Sequence, residues 1–263
     1  MINWINFDKD SNNKIFENFP DNHIHIWRLK FTDKLSDASF DLGLSVLDES
    51  SRKSALRFKF KHLQDKYIQT QFTLRYLLSN YLNIEPQDIE FSKNNHGKPY
   101  LALGNLKNNS KNNLKNNSNL MFNISHSNDY ALFAFVNNNL EIGIDIEKIS
   151  DKPYLELAER FFSKKEFELL SNLQSNQQKI GFFRLWTRKE SYIKAIGEGL
   201  SHSLSAFSMN IDEKAEFLDH DLAKKWHIES ILLEEDGYCG SLVCEKKNTK
   251  IEKICFIDTK NML

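Results

Sequence analysis

Asp145 and Glu147 stand two residues apart in Gly143-Ile144-Asp145-Ile146-Glu147, and Glu190 and Lys194 stand four apart in Trp186-Thr187-Arg188-Lys189-Glu190-Ser191-Tyr192-Ile193-Lys194. On a strand, alternate side chains leave the same face, so Ile142, Ile144 and Ile146 can pack inward while Asp145 and Glu147 project together from the other side. On a helix, positions i and i+4 are neighbours, which puts Glu190 and Lys194 on one face. If that helix docks on that strand, three hard oxygen donors and an ammonium converge. Such a set suits Mg²⁺ carrying a pyrophosphate. Taken singly, the two motifs are ordinary: an Asp-x-Glu strand occurs on any half-solvated sheet face, and a Glu-to-Lys pair is a routine helix-surface ion pair. Gly143 adds to the first, because with no side chain it leaves room for a ligand or another backbone.

Other residues could serve an anion. Ser125-His126-Ser127 precedes Asn128-Asp129 and reads as a turn that exposes hydroxyls, an imidazole and backbone amides to phosphate oxygens. A Ser-His nucleophile is disfavoured, since sequence neighbours rarely reach the required geometry and no Gly-x-Ser-x-Gly elbow is present. Gly97-Lys98-Pro99 lacks the spacing of a Walker loop but holds a lysine between two backbone-restricting residues. The cluster Arg52, Lys53, Arg57, Lys59, Lys61 and Lys66 has the composition of a solvated helix face. Glu166 closes a Ser163-x-x-Glu166 capping box, which explains it without a second role, although one near the site stays open. Phe182, Phe183, Trp186 and Ile193 recur at helical spacing and read as core.

The elements that must position these groups are legible in outline. With 263 residues, 40% of them hydrophobic and 20 of them Phe, the chain can bury a sizeable core. The balance of 35 Lys+Arg against 36 Asp+Glu provides no global field for nucleic acid or an anionic membrane. The three cysteines, Cys239, Cys244 and Cys255, show no metal or redox spacing and read as free thiols in a reducing compartment. The N-terminal residues lack a signal-peptide core and no apolar run approaches a membrane span, so a cytoplasmic protein is expected.

Apolar spacing predicts a helix from Asp48 to Leu82, with Leu56, Phe60, Leu63, Tyr67, Phe72, Leu74, Leu77 and Leu78 on its face. Residues 104–119, rich in Asn and Lys, read as a disordered surface loop. Tyr130 to Val136 and Leu140 to Glu147 read as two strands of a hairpin around Asn137-Asn138-Asn139. A capped helix opens at Ser163, and a second runs from Gly181 to a stop at Gly197. Leu204 to Ile211 is a further predicted strand, and Trp226 to Leu233 and Tyr238 to Val243 form a hairpin at Asp236-Gly237. Without regular βαβ alternation, the class expected is α+β.

The order and spacing of five motifs resemble the surfactin-type (Sfp-type) 4'-phosphopantetheinyl transferases: Gly97-Lys98-Pro99, Asn123-Ile124-Ser125-His126-Ser127, Gly143-Ile144-Asp145-Ile146-Glu147, Arg160-Phe161-Phe162-Ser163-x-x-Glu166 and Trp186-x-x-Lys189-Glu190-Ser191-x-x-Lys194. The resemblance runs from about Asp48 to the C-terminal hairpin. It implies two pseudo-symmetric α+β halves with the active site between them, residues 1–136 with the loop 104–119, and residues 137–263 carrying the metal site. It further implies a monomeric enzyme that moves the phosphopantetheine arm of coenzyme A to a serine of acyl or peptidyl carrier protein domains, with Mg²⁺, releasing 3',5'-ADP. By the same resemblance Asp145, Glu147 and Glu190 are the metal ligands, and Glu190 and Lys194 act in catalysis. Lys98, Ser125, His126, Lys61, Lys66 and Lys194 contact coenzyme A. Ser51 and Ser54 stand where the family carries lysine. A metal-dependent nucleotide phosphohydrolase and a non-catalytic coenzyme A binding protein share parts of this set and remain alternatives at this point.

Overall fold

Tyr130–Val136 is apolar at all seven positions and buried on both faces, the pattern of a strand inside a sandwich rather than at its surface. It belongs to a computed structural model of the chain, which describes residues 5–6, 15–16, 19–102, 119–233, 236–246 and 250–256. The elements in order are β1 (Ile5–Asn6), β2 (His23–Lys30), α1 (Asp37–Ser45), α2 (Glu49–Leu56), α3 (Lys61–Leu82), β3 (Phe91–Lys93), β4 (Pro99–Leu101), β5 (Met121–Ser127), β6 (Tyr130–Val136), β7 (Ile142–Lys148), α4 (Tyr154–Phe161), α5 (Lys164–Ser171), α6 (Ser175–Ile196), α7 (His220–Lys225), β8 (Trp226–Leu233), β9 (Tyr238–Glu245) and β10 (Lys250–Phe256). The class is α+β.

Two sheets lie face to face between two long helices. The first has the strand order β1-β10-β2-β6-β5, the second β7-β9-β8. Ile24, Ile26, Leu132 and Ala134 of the first meet Ile142, Ile144, Ile146 and Leu242 of the second in the central layer. On the outer side of the first sheet, Trp27, Leu29, Phe133 and Phe135 pack against Leu74, Leu77, Leu78 and Tyr81 of α3. On the outer side of the second, Val243, Cys239, Trp226 and Ile228 pack against Phe182, Phe183, Leu185 and Ile193 of α6. Each fully buried side chain of this size contributes about 1.5–3 kcal/mol. Each long helix spans 22 residues and ends on a left-handed residue, Asn83 or Gly197. The halves thus repeat one plan, a helix on the outer face of a sheet.

The structure differs from the sequence expectations in several places. The helix expected from Asp48 to Leu82 is two helices, with Arg57 to Phe60 between them. Gln64 Nε2 donates to the carbonyl of Ala55 at the end of α2, which satisfies one acceptor that the break exposes. Leu56 (62% exposed), Phe60 (54%) and Leu63 (41%) consequently lie on the surface, not in the core. The expected β6–β7 hairpin is absent: β6 pairs with β5 and β2, while β7 pairs with β9. Positive φ at Asn138 and Asn139 lets the chain leave one sheet and enter the other. Leu204–Ala206 is a turn of 3₁₀ helix, and only an isolated bridge from Met209 to Phe217 remains of the strand expected there.

The expected division at residues 136/137 falls between β6 and β7, yet β10 returns to the first sheet and pairs parallel with β2. The Asn/Lys-rich stretch 104–119 lies, apart from Asn119, outside the described residues. Among those described, no helix is long and apolar enough to cross a membrane, and Cys239 and Cys244 are buried.

Candidate active site

The strand and the helix that carry the acidic motifs meet at Gly143. A Cβ at this position would lie 2.1 Å from the Ser191 carbonyl oxygen and 2.4 Å from the Ala195 amide nitrogen, both backbone atoms of α6. Of the two visitors that a bare backbone could admit there, the one present is therefore a helix. Ser191 Oγ donates to the Ser241 carbonyl of β9 and locks the same contact. Gly143→Ala must push β7 and α6 apart, and we expect a loss of about 3 kcal/mol, the upper part of the overpacking range. An unchanged urea midpoint would show that the two elements separate freely.

This close approach drops Lys194 onto Asp145. The ammonium lies 2.7 Å from Asp145 Oδ1, 3.0 Å from Ser125 Oγ and 3.2 Å from the Ile144 carbonyl. Ser125 donates in turn to Asp145 Oδ1 at 2.8 Å. Asp145 Oδ2 is buried and has no hydrogen-bond partner. A carboxylate oxygen left so costs free energy unless something else meets it. Asp145, Glu147, Glu190 and Lys194 all line one open cavity of about 450 Å³, with Ile124, Ser125, His126 and Trp186.

Burial, and then the negative charge of Asp145, push the carboxyl pKa of Glu147 upward. The same two causes, in the same order, raise that of Glu190. Three acids facing one cavity, against the ammonium of Lys194 in its wall and that of Lys152 beside Glu147, leave unbalanced negative charge. Among the described residues, no group of three acidic, imidazole or thiol side chains is assembled that could hold a metal ion by itself. Mg²⁺ does not ask for one, because it binds through a few carboxylates and completes its shell with water and phosphate oxygens. The orphaned Asp145 Oδ2 and the two carboxyls destabilised as anions by burial and by the charge of Asp145 fit such an ion.

A pH prediction follows from these shifts. Raised folded-state pKa values make the two glutamates stabilising only below the ordinary carboxylate range, and that contribution is lost as pH rises through the raised values. A divalent cation binds the ionised forms, so its benefit grows through the same window. We expect Mg²⁺ to raise the melting temperature more at about pH 8 than at about pH 5. Equal increments at both would exclude these carboxyls as its ligands.

The other predicted residues are gathered unevenly. Ser125-His126-Ser127 is not a turn: it is the end of β5, and Ser125 is buried. The hairpin with β6 turns at Asn128-Asp129, and alternation sends the two serines one way and His126 the other. The cavity wall includes His126, whose pKa is lowered by partial desolvation, then by the ammoniums of Lys194 and Lys66. Lys66 donates to the Asn128 carbonyl at 2.6 Å, beside His126. Lys61 is not brought to this cluster; it pairs with the buried Asp65 at 2.6 Å. Lys98 lines a smaller adjoining cavity of about 260 Å³ with Asn123, Glu190 and Lys194. Its ammonium is held by Glu141 at 2.8 Å and by the Ala195 carbonyl at the end of α6 at 2.9 Å. A larger cavity, about 700 Å³ beside β8, contains none of the predicted residues.

Glu166 does not line the cavity that Asp145, Glu147 and Glu190 share. Its carboxylate is fully buried, accepts from Ser163 and from the Met209 amide, and lies 2.7 Å from the equally buried Lys189. Trp186, expected in the core, is half-buried and shares itself between Phe161, Phe162 and Phe182 and the cavity wall. Sequence reasoning missed Lys152, whose ammonium lies 3.8 Å from Glu147. It also missed Asn123, whose place in the quoted motif was the only signal.

A sandwich with acids and a lysine facing one cavity between its halves is the build of a phosphoryl-handling transferase, and comparison with known proteins agrees. Residues 141–243 match the model of the 4'-phosphopantetheinyl transferase superfamily, and residues 34–138 match that of the 4'-phosphopantetheinyl transferase N-terminal region. The chain is 37% identical to the 4'-phosphopantetheinyl transferase HetI of Nostoc sp. over 180 residues, 68% of this chain and 70% of the relative. It is 33% identical to the 4'-phosphopantetheinyl transferase Sfp of Bacillus subtilis over 180 residues, 68% and 73% respectively. A mouse L-aminoadipate-semialdehyde dehydrogenase-phosphopantetheinyl transferase shares 26% identity over 245 residues, 86% of this chain and 76% of its own. The chain belongs to the Sfp-type 4'-phosphopantetheinyl transferase family.

Proposed function

We propose that this chain transfers the 4'-phosphopantetheine arm of coenzyme A to a serine hydroxyl of acyl or peptidyl carrier protein domains, releasing 3',5'-ADP, with Mg²⁺ held by Asp145, Glu147 and Glu190. The observation that carries it is Asp145: one oxygen anchors Lys194 and Ser125, while the other is buried without a partner beside two further acids. When bound, Mg²⁺ supplies charge neutralisation on the pyrophosphate.

The chain's own groups do the rest. The serine oxygen attacks the phosphorus next to the pantetheine arm, and the bond from that phosphorus to the bridging oxygen of the pyrophosphate breaks, so that the adenosine 5'-phosphate leaves as 3',5'-ADP. Phosphoryl transfer asks mainly for positioning and charge stabilisation. Lys194, steered by Asp145, Ser125 and the Ile144 carbonyl, meets the negative charge that develops on the leaving 5'-phosphate. Glu190, on the same face of α6 as Lys194, takes the serine proton. His126 and Lys66 on one side, and Lys98 on the other, hold the nucleotide end of coenzyme A. One chain supplies every group, so a monomer suffices.

The test is intact-mass spectrometry of an apo carrier protein incubated with this protein, coenzyme A and Mg²⁺, with an EDTA control. We expect the mass of one phosphopantetheine group to be added and EDTA to abolish the gain. Consumption of coenzyme A with no change in any carrier would replace transfer by hydrolysis.

A further inference from the structure

Strand β7 is the outermost strand of its sheet, hydrogen-bonded through its backbone to β9 alone. In an antiparallel pair every second residue turns its amide away from the partner strand. On β7 those amides belong to Ile144, Ile146 and Lys148, and they point at β5 of the other sheet, with which β7 makes no backbone ladder. Buried amides of this kind need acceptors.

Three side chains provide them. The Ile144 amide donates to Asn123 Oδ1 at 2.9 Å, the Ile146 amide to Ser125 Oγ at 3.4 Å, and the Lys148 amide to Ser127 Oγ at 3.0 Å. The separation along the chain is 21 residues in each case, so the three bonds share one register. Asn123, Ser125 and Ser127 alternate on β5 and therefore leave the same face. The two serines also donate onward: Ser125 to Asp145 Oδ1 at 2.8 Å and Ser127 to Glu147 Oε2 at 3.3 Å. A hydroxyl has one donor and two acceptor sites. Ser125 uses all three, accepting from Ile146 and Lys194 and donating to Asp145. It has nothing left for a coenzyme phosphate.

We infer that Asn123, Ser125 and Ser127 are positioning residues: a side-chain ladder that sets the register of β7 against β5 and so aims Asp145 and Glu147 into the cavity. Calling those acids metal ligands rests on the proposed function; the ladder itself does not. The inference reassigns Ser125 from binding coenzyme A to orienting the acids and Lys194. His126, on the opposite face of β5, is the member of the motif left to meet the substrate.

The test uses the full chain and the variants Asn123→Ala, Ser127→Ala and Ser127→Thr. Hydrogen exchange should accelerate at least about tenfold at the Ile144 amide in Asn123→Ala and at the Lys148 amide in Ser127→Ala, with β9 amides unchanged. Mn²⁺ titrated without coenzyme should bind about tenfold more weakly to both alanine variants, the loss typical of removing a group that orients a ligand. Ser127→Thr keeps the hydroxyl and should restore both readouts. At saturating Mg²⁺, KM for coenzyme A should stay within about twofold, as expected where no coenzyme contact is lost. A raised KM with unchanged Mn²⁺ affinity would make these residues coenzyme ligands and overturn the inference. Faster exchange throughout β7 and β9 with unchanged Mn²⁺ affinity would overturn it too, leaving only a general packing role. If the wild-type chain modifies no carrier yet the variants lose Mn²⁺ affinity, the ladder stands and the transfer reading falls.

Discussion

Asp145→Asn is expected to lower phosphopantetheine transfer at least about 100-fold, since even groups that merely orient a metal ligand cost 10- to 100-fold when removed. The amide keeps the shape and can still accept from Lys194 and Ser125 through its oxygen. What it removes is the charge that neighbours respond to: Asp145 is the second cause, after burial, of the raised pKa of both Glu147 and Glu190. Both glutamates should therefore titrate lower in the variant, which NMR of the side-chain carboxyls would read. Lys194 keeps 29% of its side chain in solvent, so losing its partner does not strand a buried charge. The metal-free melting temperature should change little, while its rise on adding Mg²⁺ should disappear. Activity restored by excess Mg²⁺ with an intact melting shift would remove Asp145 from the ligand set.

Lys189→Met and Glu166→Gln should have the largest effect on stability, about 3–5 kcal/mol each, because breaking a fully buried ion pair leaves an uncompensated charge or donor. Against a typical stability of 5–15 kcal/mol, either change puts folding at risk. Both side chains are 0% exposed and 2.7 Å apart. Lys189 also donates to the Leu204 and Phe207 carbonyls, and Glu166 accepts from the Ser163 and Met209 amides, so the pair pins the segment 204–209 to α5 and α6. Burial lowers the Lys189 pKa, and the charge of Glu166 opposes that shift. Urea unfolding measures the loss. The double variant should be less damaged than the sum of the singles, as coupled neighbours are. Turnover per folded molecule in Glu166→Gln should stay near wild type. A collapse of turnover without a loss of stability would reinstate Glu166 as the base.

The amino-acid sequence by itself determined what depends on near neighbours. Alternation of Ile142, Ile144 and Ile146 with the acids, the Ser163 to Glu166 capping box, the helix that ends at Gly197, and the β8–β9 hairpin at Asp236-Gly237 all follow from periodicity, capping and turn chemistry within a few residues. These are short-range preferences of the backbone, and so they are written locally. The acids and Lys194 were legible as a set because each motif has a fixed local geometry on its own strand or helix.

Only the tertiary structure decided which elements became neighbours. It placed β7 in a different sheet from β6, slotted β10 beside β2, paired Lys189 with Glu166 across 23 positions, took Lys61 and Lys98 into ion pairs, and turned the serines of β5 toward the amides of β7. The physical reason is common to all of them. Which carboxylate meets which lysine, and which amide meets which hydroxyl, is set by the burial of apolar faces from distant parts of the chain. That burial fixes where each polar group must find its partner, and no local spacing records it.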